Sequence, residues 1–327
     1  MYVKMDRYLM SRRLKFNMKI DTSVKIGKIK MKNPIMPASG TFGEELAEFI
    51  DFSKLGALVP KSVTRHARTG NKPPRVVETT SGMLNAVGIQ NDGIEKFLKN
   101  KLSFYKKYNS PLILSISGHS IEEFSEMVKL IENYEEVDGI ELNISCPNLK
   151  VGGESFGMSI KDTKEIVTEV RKRSLKMIIV KLTPNVGDIA ALALASEEAG
   201  ADAVTVANTF TAMAIDINTK KPILGNVTGG LSGPAIKPVV LRMVWEVAKV
   251  VKIPIIGVGG IRTCEDVIEY MLAGASAVQV GTATFVDPDI MTKIINDIEN
   301  YMKENKIVEI SNLIGALIED NENLICK

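Results

Sequence analysis

GIELNIS, residues 139–145, alternates apolar and polar side chains. Side chains of a strand point to opposite faces in turn, so Ile140, Leu142 and Ile144 share one face while Glu141, Asn143 and Ser145 share the other. The apolar set is expected to pack outward on helices. The polar set then points inward near the end of the strand, where a purely stabilising core would hold Val or Leu. MIIVKLT, residues 177–183, repeats the pattern, with Ile178, Val180 and Leu182 against Ile179, Lys181 and Thr183. An inward lysine demands an anionic or electron-rich partner, because burying an unpaired ammonium costs several kcal/mol.

Six more short, β-branched apolar runs surround these two: PIMPA from Pro34, ALVPK from Ala57, LILSI from Leu112, AVTVAN from Ala203, IPIIGVGG from Ile253 and AVQVGT from Ala277. Helical periodicity fills most of the intervals, as in EEFSEMVKLIENY, DTKEIVTEVRKR, DIAALALASEEAG and PVVLRMVWEVAKVV. Strand and helix alternate, which means parallel strands with right-handed crossovers. Eight units predict an α/β fold of the (β/α)8 TIM-barrel type, with a doubly wound open sheet as the alternative. Long insertions follow strands 2, 4 and 6, at about residues 62–110, 144–160 and 207–233. In a barrel such loops gather at the C-terminal face, where active sites of this architecture lie. An N-terminal hairpin, SVKIGKIKMKN over 23–33, is expected to plug the opposite end.

The chain has 327 residues, 45% hydrophobic and 24% charged, which fits one globular barrel domain over 18–327 behind an N-terminal extension, 1–17. That extension carries basic residues but lacks the continuous apolar core of a secretory signal. Forty-one basic residues nearly cancel 39 acidic ones, leaving +2, which supplies no field for a nucleic acid or an anionic membrane. No apolar stretch of about 18 residues offers a transmembrane helix. Cys146, Cys264 and Cys326 lie too far apart for a disulfide framework or a metal-binding pair, so a reducing cytoplasm is expected and no metal.

Strand two ends at Lys61 and strand six at Asn208, so two lysines and several amides converge on one barrel face. GVGGI from Gly257 and VGTA from Val280 each end a strand and precede a helix. Their glycines allow backbone N–H groups to approach a phosphate, with the following helix N-terminus favouring its charge. Cys146 follows the inward polar residues and opens an insertion, which marks it for chemistry. Cys264 and Cys326 lack such company and read as structural. His66 and His119 are the only histidines, too few for a histidine triad or a histidine-rich metal site.

ELNISCPN (141–148), SGMLNAVGIQN (81–91), NPIMPASGTFG (33–43), GGLSGPAIKP (229–238) and IPIIGVGGI (253–261) together closely resemble the class 1 dihydroorotate dehydrogenases, from about Asn33 to Phe285. The resemblance implies an FMN-dependent barrel that oxidises dihydroorotate to orotate. SGMLNAVGIQN and GGLSGPAIKP are most similar to the class 1B branch. That branch implies electrons passed to NAD through a partner subunit carrying FAD and a [2Fe-2S] cluster, docked on a homodimer within a heterotetramer. Residue by residue, Cys146 matches the catalytic base. Asn85, Asn143, Asn148, Asn208 and Thr209 match groups around orotate, with Lys61 beside substrate and flavin. Ala38, Ser39, Gly40, Ser62 and Val206 match flavin contacts, Asn143 among them, and Lys181 the flavin ring partner. Gly233, Gly259, Gly260, Gly281 and Thr282 match a phosphate cradle. Ser115 stands where many class 1B members carry asparagine at a flavin contact. The alternatives are a fumarate-using class 1A enzyme, a lysine Schiff-base aldolase on the same barrel, a tRNA dihydrouridine synthase, and a flavin-binding subunit without turnover.

Overall fold

Pro60 decides how the barrel closes. The computed structural model describes residues 19–145, 150–151, 154–155 and 158–319. An antiparallel hairpin, β1 (Val24–Ile26) and β2 (Ile29–Met31), comes first. β3 (Ile35–Pro37) begins the barrel, and the next long loop forms a second hairpin, β4 (Val76–Thr79) and β5 (Gly82–Asn85). β6 (Ile113–Ile116) and β7 (Gly139–Asn143) resume the wall. A short pair follows, β8 (Lys150–Val151) and β9 (Glu154–Ser155), and then β10 (Met177–Lys181) and β11 (Ala203–Val206). The third insertion builds β12 (Phe210–Met213), β13 (Ile215–Asp216), β14 (Lys221–Pro222) and β15 (Thr228–Ser232), before β16 (Ile255–Gly257) and β17 (Ala275–Val280) complete the barrel.

Seven of these strands form one parallel sheet in the order β3-β17-β16-β11-β10-β7-β6. The eighth position, between β6 and β3, is filled by the run expected as strand two, which is extended but makes only isolated bridges. The Gly56 N–H donates to Ile35 C=O at 2.8 Å, Leu58 bonds Pro111 and Ile113, and Val63 bonds Ser115 and Ser117. Between them Pro60 has no N–H to give, so the ladder lapses while the gap stays closed.

The first crossover departs from the expected helix and is made of two 3-10 turns, Glu44–Glu48 and Phe52–Lys54. The remaining crossovers are helical: α1 (Ile94–Asn100), α2 (Leu102–Lys106), α3 (Ile121–Ile131), α4 (Ile160–Arg171), α5 (Ile189–Glu198), α6 (Lys237–Ala248) and α7 (Cys264–Leu272), followed by α8 (Ala283–Val286) and α9 (Ile290–Glu304). Their starts are written in the sequence. Ser120, Ser159, Asp188 and Thr263 each accept a hydrogen bond from the backbone N–H three residues on, satisfying a donor the helix cannot. α3 buries Phe124, Met127, Val128 and Ile131, the spacing of a single helical face, against the outward side chains of the strands.

The hairpin β1–β2 covers the N-terminal mouth: Ile26 and Met31 are fully buried, and a side chain at Gly27 would meet Met177 and Asp202, each at the start of a barrel strand. At the other end the insertions after strands two and six join. β12, β15, β5 and β4 pair as one antiparallel sheet, with its own small core of Leu84, Ala86 and Leu224, and this sheet roofs the barrel's C-terminal face. No described helix is long and apolar enough to cross a membrane.

Candidate active site

β7 and β17 are not neighbours in the sheet, yet the Gln279 Nε2 donates to Glu141 Oε2 at 2.6 Å. Such a contact is possible only through the barrel interior, so Glu141 and Gln279 both point inward. Lys181 of β10 joins them, donating from Nζ to Gln279 Oε1 at 2.9 Å and lying 3.7 Å from Glu141 Oε1. Thr205 of β11 donates to Glu141 Oε2 at 3.3 Å. All four side chains are buried. The lysine therefore has the partner its inward position demanded.

Above this layer lies a cavity of about 640 Å³, between the barrel's C-terminal face and the antiparallel roof. Its size is that of a pocket for a cofactor-sized ligand. Lys181 and Gln279 form part of its floor, with Lys61 beside them, while Glu141 sits behind. The Lys61 ammonium bonds Gly40 C=O at 3.0 Å, and no described carboxylate lies within salt-bridge distance of it. Burial, and then the charge of Lys181, push its proton affinity below that of an ordinary lysine. The cavity thus presents one compensated and one uncompensated cation, a setting for an anionic or electron-rich ligand.

One end of the cavity is built from glycines. Gly259, Gly260, Gly281 and Thr282 line it, and their backbone N–H groups donate to no described acceptor. Gly260 has φ +71°, and a Cβ there would lie 2.8 Å from Lys237 Cβ and 2.9 Å from Gly233 C=O, so only glycine leaves this cradle open. The Thr282 hydroxyl donates to Ser232 Oγ at 2.7 Å, and Gly233, at φ +98°, completes the wall. Free amides converging on a concave surface suit a phosphate. At α7 the chain's own side chains already occupy part of the helix start. Its N-terminus is closed by a Thr263–Asp266 capping box, and Asp266 also accepts from the Arg262 N–H and pairs with Lys237 at 2.6 Å. The loop amides remain the free donors at this part of the cavity.

The opposite end is built from amides. Asn143 Oδ1 accepts from Ser145 Oγ at 2.8 Å and from Asn208 Nδ2 at 3.3 Å, while Asn208 Nδ2 also bonds Ser145. Asn208 Oδ1 is fixed by the Thr209 N–H at 2.8 Å. Asn85 reaches in from the roof, its Nδ2 donating to Gly230 C=O at 3.4 Å. Asn143, Asn208, Thr209 and Asn85 all line the cavity, as do Ala38, Ser39, Gly40 and Ser62 along its side. Side-chain amides offer donor and acceptor together, which matches the edge of a heterocycle.

Two expected residues stand back from the cavity. Ser115 is fully buried and shares a 2.9 Å hydrogen bond with Ser62 Oγ, which in turn bonds Ser39 at 3.3 Å. It supports two lining hydroxyls rather than facing a ligand, because a serine is too short to reach past them. Val206 is likewise buried behind the wall. Cys146 and Asn148 lie outside the described residues, as do Cys326 and the extension 1–17. Gln279, missing from the sequence-derived set, has a visible signal: in AVQVGT it shares a face with Ala277 and Gly281, so period-two alternation points it inward. Ser145, already turned inward by the alternation of its strand, lines the cavity too, and Asn185 is a lining residue with no signal in the sequence. Asn185 ties β12 to the barrel through Thr209 C=O at 3.1 Å and the Thr211 N–H at 2.8 Å.

Comparison with known proteins gives a consistent result. The family described as "Dihydroorotate dehydrogenase" matches residues 22–302. A protein of Geotalea uraniireducens called "Dihydroorotate dehydrogenase B (NAD(+)), catalytic subunit" is 50% identical over 302 residues, spanning 92% of this chain and 99% of its own. Proteins with the same name from Bacteroides fragilis and a Thermoanaerobacter species are 51% and 50% identical, covering 91% and 92% of this chain and 99% and 100% of theirs.

Proposed function

The chain belongs to the dihydroorotate dehydrogenase family, and from that premise we propose that it is the catalytic subunit of an NAD-linked enzyme oxidising dihydroorotate to orotate in pyrimidine biosynthesis. The observation that carries this reading is one cavity lined by free glycine amides, hydrogen-bonded asparagines and two lysines. FMN fits that set of groups. Gly259, Gly260, Gly281, Thr282 and Gly233 would hold its phosphate, Ala38, Ser39, Gly40 and Ser62 would flank its ring, and Lys181 would face the ring's electron-rich edge. When bound, FMN supplies a two-electron acceptor for the hydride that leaves C6 of dihydroorotate.

Asn143 and Asn208, with Asn85, Asn148 and Thr209, bind and orient the pyrimidine. Asn143 and Asn208 are already fixed by Ser145 and by the Thr209 amide, so little ordering remains on binding. Lys61 supplies positive charge where substrate and ring meet. Cys146, directly after Ser145, takes the C5 proton on its Sγ. The thiolate form is the base that accepts it and becomes the thiol, and a cysteine suits that task because its proton affinity lies close to the working range.

Electrons bound for NAD leave through a second polypeptide with FAD and a [2Fe-2S] cluster. A cluster of that type needs four ligands, usually cysteines, and this chain has three cysteines in all. Cysteine variants test the chemistry. Cys146→Ala should retain FMN yet lose its reduction by dihydroorotate, and Cys146→Ser should be slow and improve as pH rises, since a hydroxyl gives up its proton less readily than a thiol. Wild-type reduction kinetics in the alanine variant would remove Cys146 from the reaction.

A further inference from the structure

Glu141 is the buried charge that the proposed reaction does not use. It is fully buried and does not line the cavity, and its Oε1 has no hydrogen-bond partner although it faces Lys181 Nζ at 3.7 Å. A buried ion pair is costly: replacing Glu141 and Lys181 together by apolar side chains would leave the barrel as stable or more so, whereas removing Glu141 alone would strand the lysine. The other oxygen is doubly held, by Gln279 Nε2 at 2.6 Å and Thr205 Oγ1 at 3.3 Å, so the carboxylate cannot turn away. This also fixes the Gln279 amide. With its nitrogen on the carboxylate, its oxygen is left to receive Lys181 at 2.9 Å.

Among the described residues the titratable groups facing Lys181 are Glu141 and Lys61, the second of which repels it. Glu141 is, among the described residues, the anion that offsets the Lys181 ammonium. We propose that Glu141, directly and through Gln279, is a positioning residue that holds Lys181 as an ammonium aimed into the cavity, and so sets how strongly the site favours a reduced, electron-rich ring. This rests on the FMN reading above.

The test is the reduction potential of the bound flavin, followed spectroscopically against pH in the FMN-loaded protein. In Glu141→Gln, Lys181 loses the carboxylate that faces it. Its charge should then follow that of the ring, with a proton bound as the ring is reduced, adding about one proton to those taken up. The potential should therefore fall below wild type as pH rises and slope more steeply. Glu141→Gln combined with Gln279→Glu moves the carboxylate to the position that already contacts Lys181, and should restore the wild-type slope. A shift equal at every pH, no shift, or a double variant that fails to restore the slope would overturn the proposal.

Should Glu141→Gln not fold, the same change is made together with Lys181→Met. Recovery of folding is expected, because the unpaired ammonium is then gone, and continued failure would overturn the proposal. A wild-type protein that releases no FMN would instead remove the reading beneath it. Flavin-bearing wild type with unaltered variants would remove this inference alone.

Discussion

Lys61 sets binding against stability. Its ammonium is kept in the cavity with one carbonyl for company, and burial together with Lys181 lowers its hold on a proton. The unfolded chain, in which lysine titrates at about 10.4, therefore binds more protons than the folded one between the depressed value and that point, and stability contributed by this site rises with pH through the window. Lys61→Met should melt at a higher temperature than wild type at neutral pH when ligand-free, lose part of the rise with pH, and bind orotate more weakly. Thermal melts over pH and an orotate titration check this, and an unchanged pH dependence would contradict it. Lys181 and Asn143 are legible in the sequence because alternation along a strand turns them inward, and Asn208 because it ends a strand at the same barrel face. Gln279 obeys the same rule and was still missed, since a lone amide in AVQVGT carries no charge to demand a partner. The pairing of Glu141 with Lys181 and Gln279 was not legible at all, because it depends on which strands face each other across the interior.

The barrel strands and most crossover helices follow from apolar periodicity and capping residues, whereas the antiparallel roof does not. Its strands come from insertions more than 120 residues apart, as Gly230 against Asn85 illustrates, and the β4–β5 turn uses Thr80 and Ser81, with Ser81 at φ +60°, rather than an Asn-Gly signal. The second strand shows the reverse. ALVPK reads as a strand, and it occupies the right place, but Pro60 limits it to bridges. Gly230 is the residue on which roof and barrel meet: a Cβ there would lie 2.7 Å from Thr209 Cβ and closer still to its hydroxyl. Gly230→Ala should displace Thr209 and with it the Asn208 side chain, costing about 1–3 kcal/mol of stability by overpacking. The expected reading is orotate affinity reduced far more than FMN affinity. Equal losses of both would place the roof's contribution elsewhere.

The described residues enclose a nucleotide-sized cavity between barrel and roof, and no strand-turn-helix in the sequence offers a glycine-rich dinucleotide site. Among the described residues no group of three or more His, Cys, Asp or Glu side chains could hold a metal. The isolated chain with dihydroorotate should therefore reduce artificial dyes while leaving NAD untouched. Robust NAD reduction by this chain alone would contradict the need for a partner, and robust fumarate reduction would move it to the fumarate-using branch. The five sequence motifs identified the family, and each of them contributes residues to the cavity lining. Every part of the account meets in one measurement, the anaerobic titration of the purified protein with dihydroorotate followed by its flavin absorbance. The account predicts a yellow protein that bleaches with dihydroorotate and yields FMN on denaturation. A colourless protein, or a flavin that dihydroorotate leaves oxidised, would contradict it.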